Sequence, residues 1–281
     1  MDLALSDKYM QFLDEMDTVG RFADGKLLAG KLGSIGLMLF NHPAKHNAVT
    51  LDMWRAIASV LTDFERDRTV RVAVYAGEGG KAFASGADIS EFEQHRVDSA
   101  PSEPYTRIVT EARTKLASFA KPSIACLQGY CLGGGLAIAM EADLRVASAD
   151  AWLGVPAARL GIAYNAHSIR RLVSLVGPSH ARLLLYTARR FSGQEAFEMG
   201  LVDLIAHDAV EETLKLARTI AENAPLSVLA SKMAVQQALS ATGSPECDVV
   251  EEFSRRCLVS ADFREGRLAF LEKRNPTFTG N

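Results

Sequence analysis

The chain has 281 residues, 31 basic and 34 acidic side chains, a net charge of −3, and 48% hydrophobic residues. Such a composition describes a globular protein with room for one sizeable core and a smaller appended region. It argues against general attraction to nucleic acid, and no apolar run reaches the length that spans a bilayer. The opening segment MDLALSDKYM lacks the basic start and apolar core of a secretory signal. Cys126, Cys131, Cys247 and Cys257 show no paired C-x-x-C spacing, so neither a zinc site nor a disulfide framework is expected. Reduced thiols in a cytoplasmic protein are the expectation.

Residues 3–22 place Leu3, Met10, Leu13, Met16 and Val19 at helical spacing, which predicts an amphipathic N-terminal helix over about residues 1–25. Short strands follow. Leu27–Leu32 and Ile35–Phe40 flank Gly33-Ser34, a hairpin turn. Thr50 is an N-cap for a helix carrying Trp54, Ile57 and Leu61. Val70–Tyr75 reads as a buried strand, Lys115–Phe119 as a further element, and Ser123–Cys126 as a strand breaking into Gly129. Three adjacent glycines, Gly133, Gly134 and Gly135, lead into an apolar helix over residues 136–142, and Leu144–Ala147 is another strand. Alternating strands and helices predict an α/β core from 26 to 205. From Gly193 onward, 193–199, 209–223, 226–240 and 245–259 read as helices, so residues 206–281 form an α-helical C-terminal region. Its long apolar faces predict self-association.

Two segments carry chemistry. The glycine triplet opens a helix, leaving first-turn N–H groups unpaired at the positive end of the helix dipole. By itself this segment fits either a site for developing negative charge or a glycine-lined packing turn. A second glycine turn, Phe83-Ala84-Ser85-Gly86-Ala87-Asp88-Ile89, again presents free backbone donors. Two such turns aimed at one oxygen would make an oxyanion hole. No GxGxxG opens a helix and no GxxxxGK[ST] or GxSxG occurs, which disfavours dinucleotide, P-loop and serine-hydrolase readings.

The pair AFASGADISEF (82–92) and GYCLGGGLAIAMEADLRVAS (129–148) resembles the crotonase superfamily, the enoyl-CoA hydratase/isomerase group. FNHPAKHNAVT (40–50), FSGQEAFEMGLVDLI (191–205) and DFREGRLAFLEKRNPTF (262–278) extend the resemblance over nearly everything from residue 26 to the end. It implies a β-spiral of ββα units with an α-helical C-terminal trimerisation region, assembled as a homotrimer or paired trimers. It also implies an acyl-CoA substrate, with coenzyme A as part of the thioester and no separate cofactor. Carried over by position, the N–H groups of Ala87 and Gly134 would form the oxyanion hole. Ala44–Ala48 matches the family's adenine and pantetheine contact strand, making Ala44, Lys45 and Ala48 binding candidates, with Lys45 a phosphate partner or a solvated lysine. Phe270 and Lys273 match positions near the adenine end, often contributed by a neighbouring subunit; helix packing and a solvated charge are the alternatives.

The pattern breaks at the proton-transfer residues. The two glutamates of a family hydratase fall on Ala137 and Ala157. Alanine neither accepts nor donates a proton, so ordinary hydration is disfavoured. Glu141, one turn beyond Ala137, is expected to be structural or solvent-facing, and Asp143 architectural. The run Arg159-Leu160-Gly161-Ile162-Ala163-Tyr164-Asn165 resembles the methylmalonyl-CoA decarboxylase branch, as does the C-terminal GRLAFLEKRNPTFTGN. In that branch the hole stabilises the enolate left by loss of carbon dioxide, and the tyrosine matching Tyr164 orients the departing carboxylate; a packing role is the alternative for Tyr164. The branch has a histidine at the position of Ala87 and a glutamate at that of Ala137, so substrate identity does not carry over. His167, a carboxylate among Glu91, Glu93 and Glu103, or Arg159 facing a substrate carboxylate are further candidates. Decarboxylase-type lyase chemistry leads; an isomerase or hydrolase with an unconventional base and a non-catalytic acyl-CoA binder are the alternatives.

Overall fold

A computed structural model describes residues 19–88, 96–97, 100–101, 103–239 and 247–281. Residues 1–18 of the expected N-terminal helix lie outside these. In chain order the elements begin with strands β1 (Val19–Phe22), β2 (Leu27–Leu32) and β3 (Ile35–Phe40), a 3-10 turn (Pro43–Lys45) and helix α1 (Leu51–Arg66). Strands β4 (Val72–Gly77), β5 (Ala82–Ala84), β6 (Arg96–Val97) and β7 (Ala100–Pro101) precede α2 (Glu103–Ala117). Next come β8 (Ser123–Leu127), β9 (Tyr130–Leu132), α3 (Gly134–Glu141), β10 (Leu144–Ser148), β11 (Trp152–Gly154), a 3-10 turn (Pro156–Leu160) and α4 (Ala166–Thr187). The last part holds β12 (Phe191–Ser192), α5 (Gly193–Glu198), β13 (Leu204–Ala206), α6 (Ala209–Glu222), α7 (Pro225–Leu239), α8 (Cys247–Val259) and α9 (Ala261–Glu272).

Seven strands form the main sheet in the order β1-β2-β3-β4-β8-β10-β13, antiparallel over β1-β2-β3 and parallel thereafter. Both faces of its parallel part are buried, and strand periodicity divides the side chains between them. Leu37, Val74, Ile124, Cys126 and Val146 face one cluster with Leu214 and Ala217 of α6. Met38, Tyr75, Ala125 and Ala147 face the other, with Trp54 and Ile57 of α1, Leu116 of α2 and Ile138 of α3. Helix α6, read from sequence as part of the C-terminal helical region, therefore closes the second face of the sheet.

The expected hairpin has the residues and turn read for it, and Thr50 caps α1 by accepting a hydrogen bond from Met53 N. Residues 19–22 depart from the helical reading. They form an edge strand paired with β2, Val19 opposite Gly30 and Phe22 opposite Leu27. Pairing to a preformed hairpin outweighs the helical spacing of one valine. Helices α2 and α4 were not anticipated: polar residues dilute the apolar stripe of α2, and Gly177-Pro178 interrupts that of α4 with non-helical backbone at Gly177 (φ 71°). Asp143 acts as the architectural residue expected of it. Its Oδ2 accepts from Ser123 N at 2.8 Å, Ser123 Oγ at 3.1 Å and Lys232 Nζ at 2.8 Å, tying α7 to the sheet.

The smaller sheet, β12-β11-β9-β5, positions the chemistry. Strands β5 and β9 are parallel neighbours, with Ala82 opposite Tyr130. Segments leaving the carboxyl ends of adjacent parallel strands emerge side by side. That brings 85–88 and 133–134, about fifty residues apart in sequence, to one place.

Candidate active site

The turn at 85–88 is shaped by a single bridge to Val49. Val49 N donates to Gly86 O at 2.8 Å, and Asp88 N donates to Val49 O at 3.1 Å. Because ladder bonds alternate along an extended chain, this arrangement turns the Ala87 N–H to the opposite side. Gly86 has φ +117°, a conformation open to glycine. Gly133, with φ +51°, is the N-cap of α3 and makes no side-chain cap, so Gly134 starts the helix with a free donor. Neither Ala87 N nor Gly134 N has a hydrogen-bond partner among the described residues. The two turns face each other: a β-carbon on Gly134 would lie 3.4 Å from Ala87 N, and one on Gly86 would lie 3.7 Å from Gly134 N. Gly135 serves a different purpose, since a β-carbon there would come within 2.1 Å of Ala84 O. The triplet thus combines a bend, a donor and a close approach.

Tyr164 lies beside the second of these turns. Its hydroxyl donates to Gly133 O at 3.0 Å, the same carbonyl that accepts Ala137 N at 3.0 Å. The 3-10 turn Pro156–Leu160 ends at left-handed Gly161, and Asn165 caps α4 by accepting from Ser168 N at 2.9 Å, so Tyr164 is clamped between two fixed turns. Burial pushes its phenol pKa up, against a smaller opposing pull from the positive charge of Arg113. The hydroxyl is therefore a proton-bearing donor across neutral pH.

Ala137 on α3 is 2% exposed and Ala157 in the 3-10 turn 8%, so buried methyl groups stand at the two positions where the family resemblance expects glutamates. Glu141, expected to be structural or solvent-facing, turns inward: its side chain is 5% exposed and its Oε1 lies 2.8 Å from His167 Nε2. This carboxylate–imidazole pair joins α3 to α4, and sequence separation hid it. Glu103 is exposed at the start of α2, Arg159 is exposed, and Glu91 and Glu93 lie outside the described residues.

The 42–48 strap lies against the 85–88 turn, with Ser85 N donating to His46 O at 3.0 Å, but is not the strand that the family pattern implies. Pro43–Lys45 is a 3-10 turn, and His46 and Asn47 are left-handed (φ 50° and 55°). Asn47 stabilises that shape from within, accepting from His42 N at 2.8 Å and donating to Glu78 O at 3.0 Å and Ala82 O at 2.7 Å. Ala44 and Lys45 are exposed and Ala48 is buried. Lys45 Nζ pairs with Asp88 Oδ2 at 2.8 Å, linking the strap to the oxyanion turn. Phe270, 83% exposed, and Lys273, the left-handed C-cap of α9, stand apart. Phe270 lines a cleft with Cys257, Phe263 and Phe278, none of which belongs to the site.

Among the described residues no group of three or more His, Cys, Asp or Glu side chains could hold a metal ion, and no helix is long and apolar enough to cross a membrane.

The enoyl-CoA hydratase/isomerase family profile matches residues 30–281. A putative enoyl-CoA hydratase/isomerase of Bacillus subtilis is 30% identical over 92% of this chain and 99% of its own length. A short-chain-enoyl-CoA hydratase of Clostridium acetobutylicum is 30% identical over 87% of this chain and 94% of its own. Among solved structures, an enoyl-CoA hydratase/carnithine racemase from Magnetospirillum magneticum superposes with a TM-score of 0.86 at 30% identity, covering 92% of this chain and 97% of that one.

Proposed function

This chain belongs to the enoyl-CoA hydratase/isomerase family, and we propose that it converts an acyl-CoA thioester through an enolate formed by loss of carbon dioxide rather than by adding water. The observation that supports this reading is the pair of alanines, Ala137 and Ala157, at the positions where the resemblance expects glutamates, together with the unpartnered donors Ala87 N and Gly134 N. Hydration needs a general base and acid at the double bond, whereas decarboxylation starts without a base. In the proposed step the bond between Cα and the carboxylate breaks. Its electron pair moves into the thioester carbonyl, carbon dioxide departs, and the oxyanion is held by Ala87 N–H and Gly134 N–H. The enolate then takes a proton at Cα. Tyr164 would orient the departing carboxylate by turning its O–H from Gly133 O toward it. Coenzyme A enters and leaves as part of the thioester, with Ala44, Lys45 and Ala48 along its path.

A second reading, hydration or isomerisation, draws on the hydratase names of the relatives and on the Glu141–His167 pair as an unconventional acid–base group. Incubation with crotonyl-, malonyl- and methylmalonyl-CoA in deuterated water, followed by mass spectrometry, separates the two. We expect carbon dioxide release with deuterium at the α-carbon. Hydrated crotonyl-CoA at rates typical of a hydratase would overturn the decarboxylase reading, and binding without turnover would leave an acyl-CoA binder. Tyr164→Phe should lower decarboxylation by at least about ten-fold through loss of one hydrogen bond to a charged group; unchanged turnover would remove Tyr164 from the site.

The proposed assembly is a trimer or paired trimers, supported by the exposed apolar side chains Leu258, Val259, Leu268, Phe270 and Leu271 on α8 and α9. Light scattering should give three or six times the chain mass; a monomer would refute it.

A further inference from the structure

The Ala87 donor is aimed by the 42–49 segment as much as by its own turn. In a planar trans peptide the N–H points away from the preceding carbonyl, so the 2.8 Å bond from Val49 N to Gly86 O sets the direction of Ala87 N–H. Gly86 by itself holds that plane weakly, because glycine turns freely about its backbone. Further bonds lace the two segments together. Ser85 N donates to His46 O at 3.0 Å, Asp88 N to Val49 O at 3.1 Å, and Ser85 Oγ to Lys45 O at 3.3 Å. One pair of charged side chains closes the lace. Lys45 Nζ lies 2.8 Å from Oδ2 of Asp88, the residue directly after the donor. The Asp88 side chain is 7% exposed and that of Lys45 50%. A carboxylate so far from water gains more from an ammonium than an exposed one does, and drawing the ammonium away is correspondingly costly.

We propose that the Lys45–Asp88 pair fixes the strap to the oxyanion turn and so keeps Ala87 N–H aimed at the thioester oxygen, and that the Lys45 ammonium serves this tie in place of a coenzyme A phosphate. Lys45 and Asp88 are positioning residues that act through Ala87. The inference rests on the reading that an acyl-CoA thioester is held between Ala87 and Gly134, and it is independent of the reaction that follows. An oxyanion donor contributes only when it is preorganised, since a misaimed N–H must first turn at the moment charge develops. The tie supplies that preorganisation on the side of the hole where the backbone is least constrained by its own residue type.

The test reads the thioester carbonyl itself. Acetyl-CoA isotopically labelled at that carbonyl is bound to the wild type, Lys45→Met, Asp88→Asn, the double variant and Lys45→Arg, and difference infrared spectra record the carbonyl stretch. Hydrogen bonds from the two donors lower its frequency, so the shift on binding reports their aim, which a change in fold stability alone does not move. Calorimetry gives Kd for acetyl-CoA and for acetylpantetheine, which lacks the nucleotide phosphates, and melting curves confirm that each variant is folded. The wild type should show the shift. Lys45→Met and Asp88→Asn should each lose about half of it, the share of one donor of two. The double variant should lose no more than either alone, because the two groups make one interaction. Lys45→Arg should keep most of the shift, and Lys45→Met should change Kd for the two ligands by the same factor. A full shift in folded Lys45→Met overturns the proposal. So does a weakening confined to acetyl-CoA, which would make Lys45 a phosphate partner. Should Asp88→Asn fail to fold, Lys45→Met and Lys45→Arg, altered at a half-exposed side chain, decide the matter. A wild-type complex without any carbonyl shift would sink the oxyanion hole and this proposal with it, whereas a wild-type shift that the variants retain sinks the proposal alone.

Discussion

Gly134→Ala is expected to lower turnover by about 10²–10³-fold, the loss of one oxyanion donor's worth of stabilisation, while the protein stays folded. Gly134 has no positive φ and opens a helix, so alanine suits its backbone and should hold or slightly raise the melting temperature. The added methyl would sit 3.4 Å from Ala87 N, an ordinary contact, and would occupy the space the thioester oxygen needs between the two donors. Its neighbours behave differently. Gly133→Ala forces a left-handed residue with a side chain and should cost about 1–2 kcal/mol of stability. Gly135→Ala drives a methyl to 2.1 Å from Ala84 O and should disturb the joint between β5 and α3. Wild-type kcat in Gly134→Ala, measured beside its melting curve, would show that the two turns are a packing joint and not an oxyanion hole.

Arg145→Met should destabilise the fold by about 3–5 kcal/mol, the scale on which removal of one partner from a buried charged network is felt. Arg145 is 1% exposed, with Nε donating to Leu201 O at 3.0 Å, Nη1 to Ala142 O at 2.7 Å, and Nη2 paired to Asp203 Oδ2 at 2.7 Å. Burial draws its pKa down, and Asp203 opposes that. The side chain joins the end of α3 and strand β10 to the segment entering β13, where Asp203 also accepts Arg145 N at 2.7 Å. Methionine fills the volume and leaves Leu201 O and Ala142 O without these donors. Urea unfolding measures the loss; a value under about 1 kcal/mol would mean that water replaces the guanidinium at small cost.

Legibility followed the range over which each signal acts. The hairpin at 27–40, the Thr50 cap and strands β3, β4, β8 and β10 depend on neighbours within a few residues, or on a run apolar enough to be buried on both faces. They were readable. Helix α2, with buried Ile108, Ala112 and Leu116 set among charged residues, draws its stability from packing on α1 and was missed. Residues 19–22 went to strand because a partner edge was waiting for them.

The candidate site divides in the same way. From its residues alone the chain specified two glycine turns rich in free donors and a tyrosine on a following loop, which are properties of residue type and local spacing. That alanine stands at the positions of two expected glutamates came from the family resemblance. Whether the two turns share one space was decided by the parallel pairing of β5 with β9, a contact between segments about fifty residues apart. The Glu141–His167 pair likewise exists only once α3 and α4 are packed. Charge and hydrogen-bond complementarity act through space, and the sheet and its helices determine which distant residues are close enough to feel them.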